Sequence, residues 1–286
     1  MSGSLHRPDG DVNGYVCPDC KTPLADLACQ GCHVEYPRRD GIPILLSNHP
    51  RFRGAAQIAT AYDSIYRRQP NVWAHEGRTP ETIEYLAGLL RRFPHERFLE
   101  IGCGEGALLA RLTTGQTSAI DLSTEALKRA RTRSPARLSV ALAERLPFPS
   151  NSFDLVFGIG VMEHFLDLDE ATREVRRVLK PGGHYVALTH VTLTMADRLR
   201  RKIAEYVFPR PRPRQLLQWV RGRWQAGPRP DLVKQPIQNR YTIRGGRACL
   251  EANAFTVVEV IHTARRPEYR LDPWAVLYIA KKGHQP

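Results

Sequence analysis

The apolar positions of this 286-residue chain alternate between two rhythms, and the alternation predicts an α/β protein. Runs of five to seven mostly apolar residues recur at 97–101, 117–121, 137–141, 153–159 and 184–190. They are too short for helices and rich in Val, Ile, Leu and Phe, as expected for strands covered on both faces. Helical spacing fills most of the gaps, which predicts a doubly wound, mostly parallel sheet with right-handed crossovers. Two further strand patterns lie at 255–262 and 274–281. Upstream, Ile58, Tyr62, Ile65 and Tyr66 share one helical face within 57–66. A second helix is predicted over 80–92, capped by Thr79 and ended before Pro94. The segment 107–112 also carries a helical pattern.

One gap breaks the rhythm. Between the fifth and sixth strands lie 64 residues, 191–254, too many for a plain crossover, so an inserted helical cap is expected there. Met195, Leu199, Ile203, Tyr206 and Val207 have helical spacing, with Arg198, Arg200, Arg201 and Lys202 among them; a Pro-Arg repeat at 209–214 then breaks the helix before Trp219 and Trp224. The net charge is +13, and residues 198–247 alone hold fourteen Lys or Arg against Glu205 and Asp231. The cap therefore faces an acidic partner, which an anionic membrane surface, RNA or an acidic substrate would each supply. No apolar stretch approaches the roughly 20 residues of a membrane span, and residues 1–11 contain no apolar signal core, so the chain reads as cytoplasmic with a disordered leader at 1–13. No internal repeat is apparent.

The strongest chemical signal is the run Phe98-Leu-Glu-Ile-Gly-Cys-Gly-Glu-Gly106, with Asp121 closing the next apolar run. A strand that leads into Gly102, Cys103, Gly104 and Gly106 lets the backbone pass close under a ligand, and an acid about 20 residues past such a turn is placed to accept from ribose hydroxyls. The spacing departs from the dinucleotide fingerprint, whose third glycine lies one position further on. Further along come Ser118-Ala-Ile-Asp-Leu-Ser-Thr-Glu, Leu146-Pro-Phe-Pro-Ser-Asn-Ser-Phe-Asp and Leu179-Lys-Pro-Gly-Gly. Taken together over 98–190, these segments resemble the class I S-adenosylmethionine-dependent methyltransferases of the quinone-methylase-like kind, type 11.

The resemblance implies a Rossmann-like, seven-stranded sheet and S-adenosylmethionine as cofactor. It implies that Glu100 reaches the methionine amino group, that Gly102, Cys103, Gly104 and Gly106 make room for the amino acid moiety, and that Asp121 and the adjacent Leu122 face the ribose. Tyr62 would lie over the cofactor as a lid residue or else belong to the core. Leu142 stands where the family usually has the Asp that accepts from the adenine amino group, followed by Ala143 and Glu144. Either Glu144 takes over, or the adenine is held by backbone groups and apolar contact.

Cys17-Pro-Asp-Cys20 and Cys29-Gln-Gly-Cys32 form two C-x-x-C knuckles separated by eight residues. Four thiolates converging from two tight turns suit tetrahedral Zn2+ in a structural role, with His33 as a possible substitute ligand. The sequence through Leu46 is similar to small ribbon proteins of the Trm112 type, so a zinc ribbon is expected at 14–46, a linker with lid helices at 47–96, and a methyltransferase domain at 97–286. Cys103 and Cys249 read as small packing residues.

A methyltransferase mainly aligns a nucleophile and removes its proton. His164, in the segment 158–164 after the fourth strand, is the first candidate base and His190 the second, while Glu163 receives no role. The segment lacks the Asn/Asp-Pro-Pro-Tyr pattern of enzymes acting on exocyclic base amines. In the resembled family, long insertions after the fifth strand form substrate caps. The expected acceptor is therefore a metabolite, glycan or lipid-linked molecule methylated on O or N; RNA is the alternative acceptor, and a non-catalytic binding module the alternative role.

Overall fold

The computed structural model describes residues 14–69, 79–94, 96–192, 195, 235–263 and 275–283. The expected leader, Trp219, Trp224 and all but the edges of the cap lie outside the described residues.

Each parallel strand forms where its apolar run predicts. β5 (Arg97–Ile101), β6 (Gln116–Asp121), β7 (Arg137–Val140), β8 (Phe153–Ile159) and β9 (Leu179–His190) pair in parallel, while β10 (Phe255–His262) and β11 (Ala275–Lys282) form an antiparallel hairpin on β9. The seven strands run in the order β10-β11-β9-β8-β5-β6-β7, and only β11 is reversed. Chain order changes direction between β5 and β8, so their carboxyl ends flank a crevice, the place where open α/β sheets bind ligands.

Helices cover both faces. α1 (Ala55–Arg68) and α2 (Pro80–Leu90) precede the sheet, α3 (Thr124–Arg133) links β6 to β7, α4 (Leu168–Val178) links β8 to β9, and α5 (Ile243–Ala252) precedes β10. Thr79 caps α2 through its hydroxyl, which accepts from Thr82 N–H at 3.3 Å, as the sequence predicts. Two local expectations differ. The pattern at 107–112 yields one 3₁₀ turn, Leu109–Arg111, because Thr113, Thr114 and Gly115, at φ +80°, follow at once and turn the chain into β6. β9 starts at Leu179 rather than 184: Leu179 pairs with Phe153 and His184 with Leu155, so the intervening Lys-Pro-Gly-Gly residues bulge within the strand.

The cysteine-rich segment folds into two minimal hairpins, β1 (Ala28–Cys29) with β2 (Val34–Glu35) and β3 (Arg38–Arg39) with β4 (Ile42–Pro43). It does not stand apart from the sheet. Tyr15, Cys17, Leu24, Leu27, Tyr36 and Leu45 belong to the same apolar cluster as Phe148, Phe153 and Tyr185. Each large apolar side chain buried in this way contributes about 1.5–3 kcal/mol. Ile44 bridges in parallel to Val140, and Leu45 N–H donates to Val140 C=O at 2.8 Å, which covers the exposed edge of β7. Lys21 reaches Glu174 at 2.7 Å, and Val16 N–H donates to Pro147 C=O at 3.1 Å. A segment this short lacks the apolar surface for a core of its own and takes that core from the sheet.

Candidate active site

Backbone conformation builds one wall of the crevice. Gly102, Gly104 and Gly106 adopt φ of +67°, +52° and +74°, in the left-handed region that favours glycine. At Gly102 space is a second constraint: a Cβ there would lie 2.3 Å from Val161 Cγ1. The turn is fastened to the next strand, since Gly102 N–H and Cys103 N–H both donate to Ile120 C=O, at 2.8 and 3.1 Å. Asp121 closes it, with Oδ2 accepting from Gly104 N–H and Oδ1 from Ser123 N–H, each at 2.8 Å. Glu100 is buried beneath the turn, and Cys103 packs inward with its Sγ 3.6 Å from Gly104 O.

Beside Asp121, Leu142 packs with Phe52 and Ala55, flanked by Leu46 and Leu122. Two of these five residues, Phe52 and Ala55, come from the linker, and a third, Leu46, ends the cysteine-rich segment. Ala143 is buried, and Glu144 turns away: its Oε1 accepts from Leu166 N–H at 2.6 Å and Asp167 N–H at 3.2 Å. Burial pushes the Glu144 carboxyl pKa up. Leu142 thus sits in an apolar cluster, while the Glu144 carboxylate is engaged by the turn at 166–167.

α1 is pinned to the same wall. Asp63 Oδ1 accepts from Ser123 Oγ at 2.7 Å and Glu125 N–H at 3.1 Å, and its Oδ2 lies 3.4 Å from Arg39. Two side chains thereby cap the first turn of α3, with negative charge at its positive end. Tyr62 is buried, and its hydroxyl donates to Gln235 Oε1 at 3.4 Å. Burial raises the Tyr62 pKa, as do the carboxylates of Asp121 and Glu163, so Tyr62 remains a neutral phenol between the two halves of the crevice.

The other half comes from β8, β9 and the returning segment 235–241. Gly160 N–H donates to Leu188 C=O at 2.7 Å, and the 3₁₀ turn Met162–His164 follows. His164 Nδ1 lies 2.6 Å from Ile237 O, Asn239 N–H donates to Glu163 C=O at 2.7 Å, and Asn239 Nδ2 donates to Phe165 C=O at 2.6 Å. Glu163 is 4% exposed. Its Oε1 lies 2.5 Å from His190 Nδ1, and its Oε2 accepts from Thr189 Oγ1 at 2.7 Å. Burial pushes the Glu163 pKa up, but the hydrogen bond to His190 and the charges of His190 and His164 outweigh it and hold the carboxyl below its ordinary value. Both candidate bases thus stand at the carboxyl ends of β8 and β9. Glu163, which joins one of them to the fold, was hidden in the sequence because its partners lie 26 and 27 residues away.

At the sheet edge, the sulfurs of Cys17, Cys20, Cys29 and Cys32 all lie within 4.8 Å of one another. Cys17–Cys32 and Cys20–Cys29 Sγ distances are 3.9 and 3.4 Å, near the roughly 3.8 Å edge of a tetrahedron with Zn–S bonds of about 2.3 Å. Lys21 and His33, each following a knuckle's second cysteine, adopt φ of +63° and +54° and close the turns. His33 is exposed and stands outside the sulfur cluster. The donor set fits Zn2+.

Residues 99–187 match the family described as "Methyltransferase domain". The chain is 31% identical over 197 residues to the ubiquinone biosynthesis O-methyltransferase of Chelativorans sp. (strain BNC1), covering 65% of this chain and 71% of the relative. It is 32% identical over 118 residues to the 27-O-demethylrifamycin SV methyltransferase of Amycolatopsis mediterranei (strain S699), covering 38% of this chain and 43% of the relative. This chain thus spans less than half the length of that relative. Among solved structures, the [4+2]-cyclase SpnF has a similar fold, with a TM-score of 0.57 at 18% identity, covering 81% of this chain and 97% of SpnF.

Proposed function

The chain belongs to the class I S-adenosylmethionine-dependent methyltransferases, and from that premise we propose that it methylates an oxygen or nitrogen of a metabolite, glycan or lipid-linked acceptor. The observation that carries this reading is the meeting, across the switch between β5 and β8, of a glycine cradle with an acid on one side and two histidines on the other. When bound, S-adenosylmethionine supplies an electrophilic methyl group on a sulfonium centre. On this reading the turn at Gly102, Gly104 and Gly106, with Glu100 beneath it, receives the amino acid end, and Asp121 accepts from the ribose hydroxyls. Leu122, Leu142, Ala143 and Phe52 form an apolar slot for the adenine, and Tyr62 closes over it. His164 and His190 are the groups able to take a proton from the acceptor.

The names of the two curated relatives point to oxygen, one as an O-methyltransferase and the other by its 27-O-demethyl substrate, which supports a small organic acceptor. SpnF, named a cyclase, illustrates that the fold alone does not fix the reaction. The four cysteines would hold Zn2+ as thiolates with no open coordination position, which assigns the metal a structural role. No helix among the described residues is long and apolar enough to cross a membrane.

RNA remains the second reading, on the strength of the fourteen basic residues between 198 and 247. Incubation with methyl-labelled S-adenosylmethionine and a cell extract, followed by fractionation, separates the two. Label in the small-molecule or lipid fraction is expected; label in RNA would establish the alternative, and absence of label from every fraction would favour a binding module.

A further inference from the structure

Glu163 does more than satisfy a local turn. It is a buried carboxylate whose two oxygens are both engaged by β9: Oε2 by Thr189 Oγ1 at 2.7 Å, and Oε1 by His190 Nδ1 at 2.5 Å and His190 N–H at 3.4 Å. Thr189 is itself fully buried, and Asn239 N–H holds the Glu163 carbonyl from the opposite side at 2.7 Å. An ionised carboxylate only accepts hydrogen bonds, so the hydrogen of a neutral His190 must sit on Nδ1, leaving the lone pair on Nε2. The His190 side chain is 41% exposed although its Nδ1 edge is anchored.

His164 offers the instructive contrast. Its Nδ1 faces the neutral carbonyl of Ile237 at 2.6 Å, which orients the ring without stabilising an added positive charge. A bond to an ionised acceptor is roughly twice as strong as a neutral one, so the contact of His190 with Glu163 holds its ring more firmly than the Ile237 carbonyl holds that of His164. This reverses the order in which the sequence ranks the two.

We propose that Glu163 is a positioning residue that holds His190 in its Nδ1–H form, so that His190 Nε2 is the base for a hydroxyl-bearing acceptor. The assignment rests on the methyl-transfer reading above. The acceptor's O–H bond would break as an N–H bond forms at Nε2, and the acceptor oxygen would form its bond to the methyl carbon as the donor's S–C bond breaks. The positive charge lost when the methyl group leaves the donor reappears on the imidazolium, beside the Glu163 carboxylate. A neutral amine attacks without prior loss of a proton, whereas a hydroxyl is a poor nucleophile until its proton moves, and a carboxylate-backed imidazole answers that need.

The other groups facing this pair are His164 on the same turn, Tyr62 on α1, Tyr185 on β9 and Tyr241 on the returning segment, with the Asp121 carboxylate beyond Tyr62. Burial raises the pKa of all three tyrosines.

The test is ¹⁵N NMR of the imidazoles in the full chain between pH 5 and 9, without acceptor, with signals assigned through His190→Gln and His164→Gln. The expected result is a wild-type His190 in the Nδ1–H form whose pKa falls by at least one unit in Glu163→Gln. S-adenosylhomocysteine affinity should change less than about threefold in that variant, since Glu163 lies outside the donor wall. An Nε2–H tautomer in the wild type, which requires no variant to fold, would overturn the proposal, as would an unchanged His190 pKa in Glu163→Gln. With labelled donor and extract, Glu163→Gln should lower incorporation at least tenfold at pH 7, and the label should sit on oxygen, released by hydriodic acid as methyl iodide. Label on nitrogen or carbon would overturn the hydroxyl assignment while leaving methyl transfer intact.

Discussion

The two walls of the crevice are built from different materials. On the side proposed for the donor, the turn at Gly102–Gly106 and Asp121 are held by backbone amides within about 20 residues of one another. On the side proposed for the acceptor, Glu163, His164 and His190 are held by side-chain contacts and by the segment 235–241, which returns from more than 70 residues away. Local backbone geometry leaves a spacing pattern in the sequence, because glycine is the residue that reaches those dihedrals without strain. A constellation assembled by tertiary contact leaves no such spacing.

The metal module sharpens this contrast most. Because Leu45 extends the sheet along β7 and Phe52 packs on Leu142, loss of the metal should damage the donor wall and spare the acceptor wall. Chelation is expected to lower the melting temperature by about 10 °C or more and to weaken S-adenosylhomocysteine binding at least about tenfold, with the His190 tautomer unchanged. Equal damage to both walls would dissolve the distinction.

Next in size is Asp63→Ala, which removes a buried cap of α3 and its tie to Arg39. A loss of about 1–2 kcal/mol is expected, read as a lower midpoint in urea, with weaker donor binding because Ser123 also loses its partner. On the opposite wall, Asn239→Ala removes the Nδ2 bond to Phe165 C=O while keeping the backbone bond to the Glu163 carbonyl, and should cost about 1 kcal/mol, leaving calorimetric donor affinity unchanged. Tyr62→Phe spans both walls, and loss of its bond to Gln235 should weaken donor binding by no more than about tenfold.

The smallest effect is one of pH. The folded pKa of Glu163 lies below that of a free glutamate, so its stabilising contribution is present above about pH 4.3 and is lost as the pH falls through the folded value. The melting-temperature advantage of the wild type over Glu163→Gln should therefore shrink between pH 5 and pH 3.

Much of the fold was legible, since the strands are buried on both faces and announce themselves as apolar runs. The apolar run begins β9 only at 184, because Lys180, Pro181, Gly182 and Gly183 interrupt the apolar pattern, whereas the sheet accepts them as a bulge. The cysteine spacing disclosed the sulfur cluster but not its union with the sheet, because sharing a core across 100 residues leaves no periodic trace. Asp121 could be found by its distance from the glycines. The anchoring of Glu144 on Leu166 and Asp167, and of His190 on Glu163, could be seen only once the chain was folded.

The account stands most directly on Asp121, and calorimetric titration of S-adenosylhomocysteine into the full chain tests it. Two charge-assisted hydrogen bonds of about 1.5–3 kcal/mol each predict clear binding to the wild type and at least a hundredfold loss in Asp121→Ala. Equal affinity for both proteins, or no binding to a folded wild type, would contradict it.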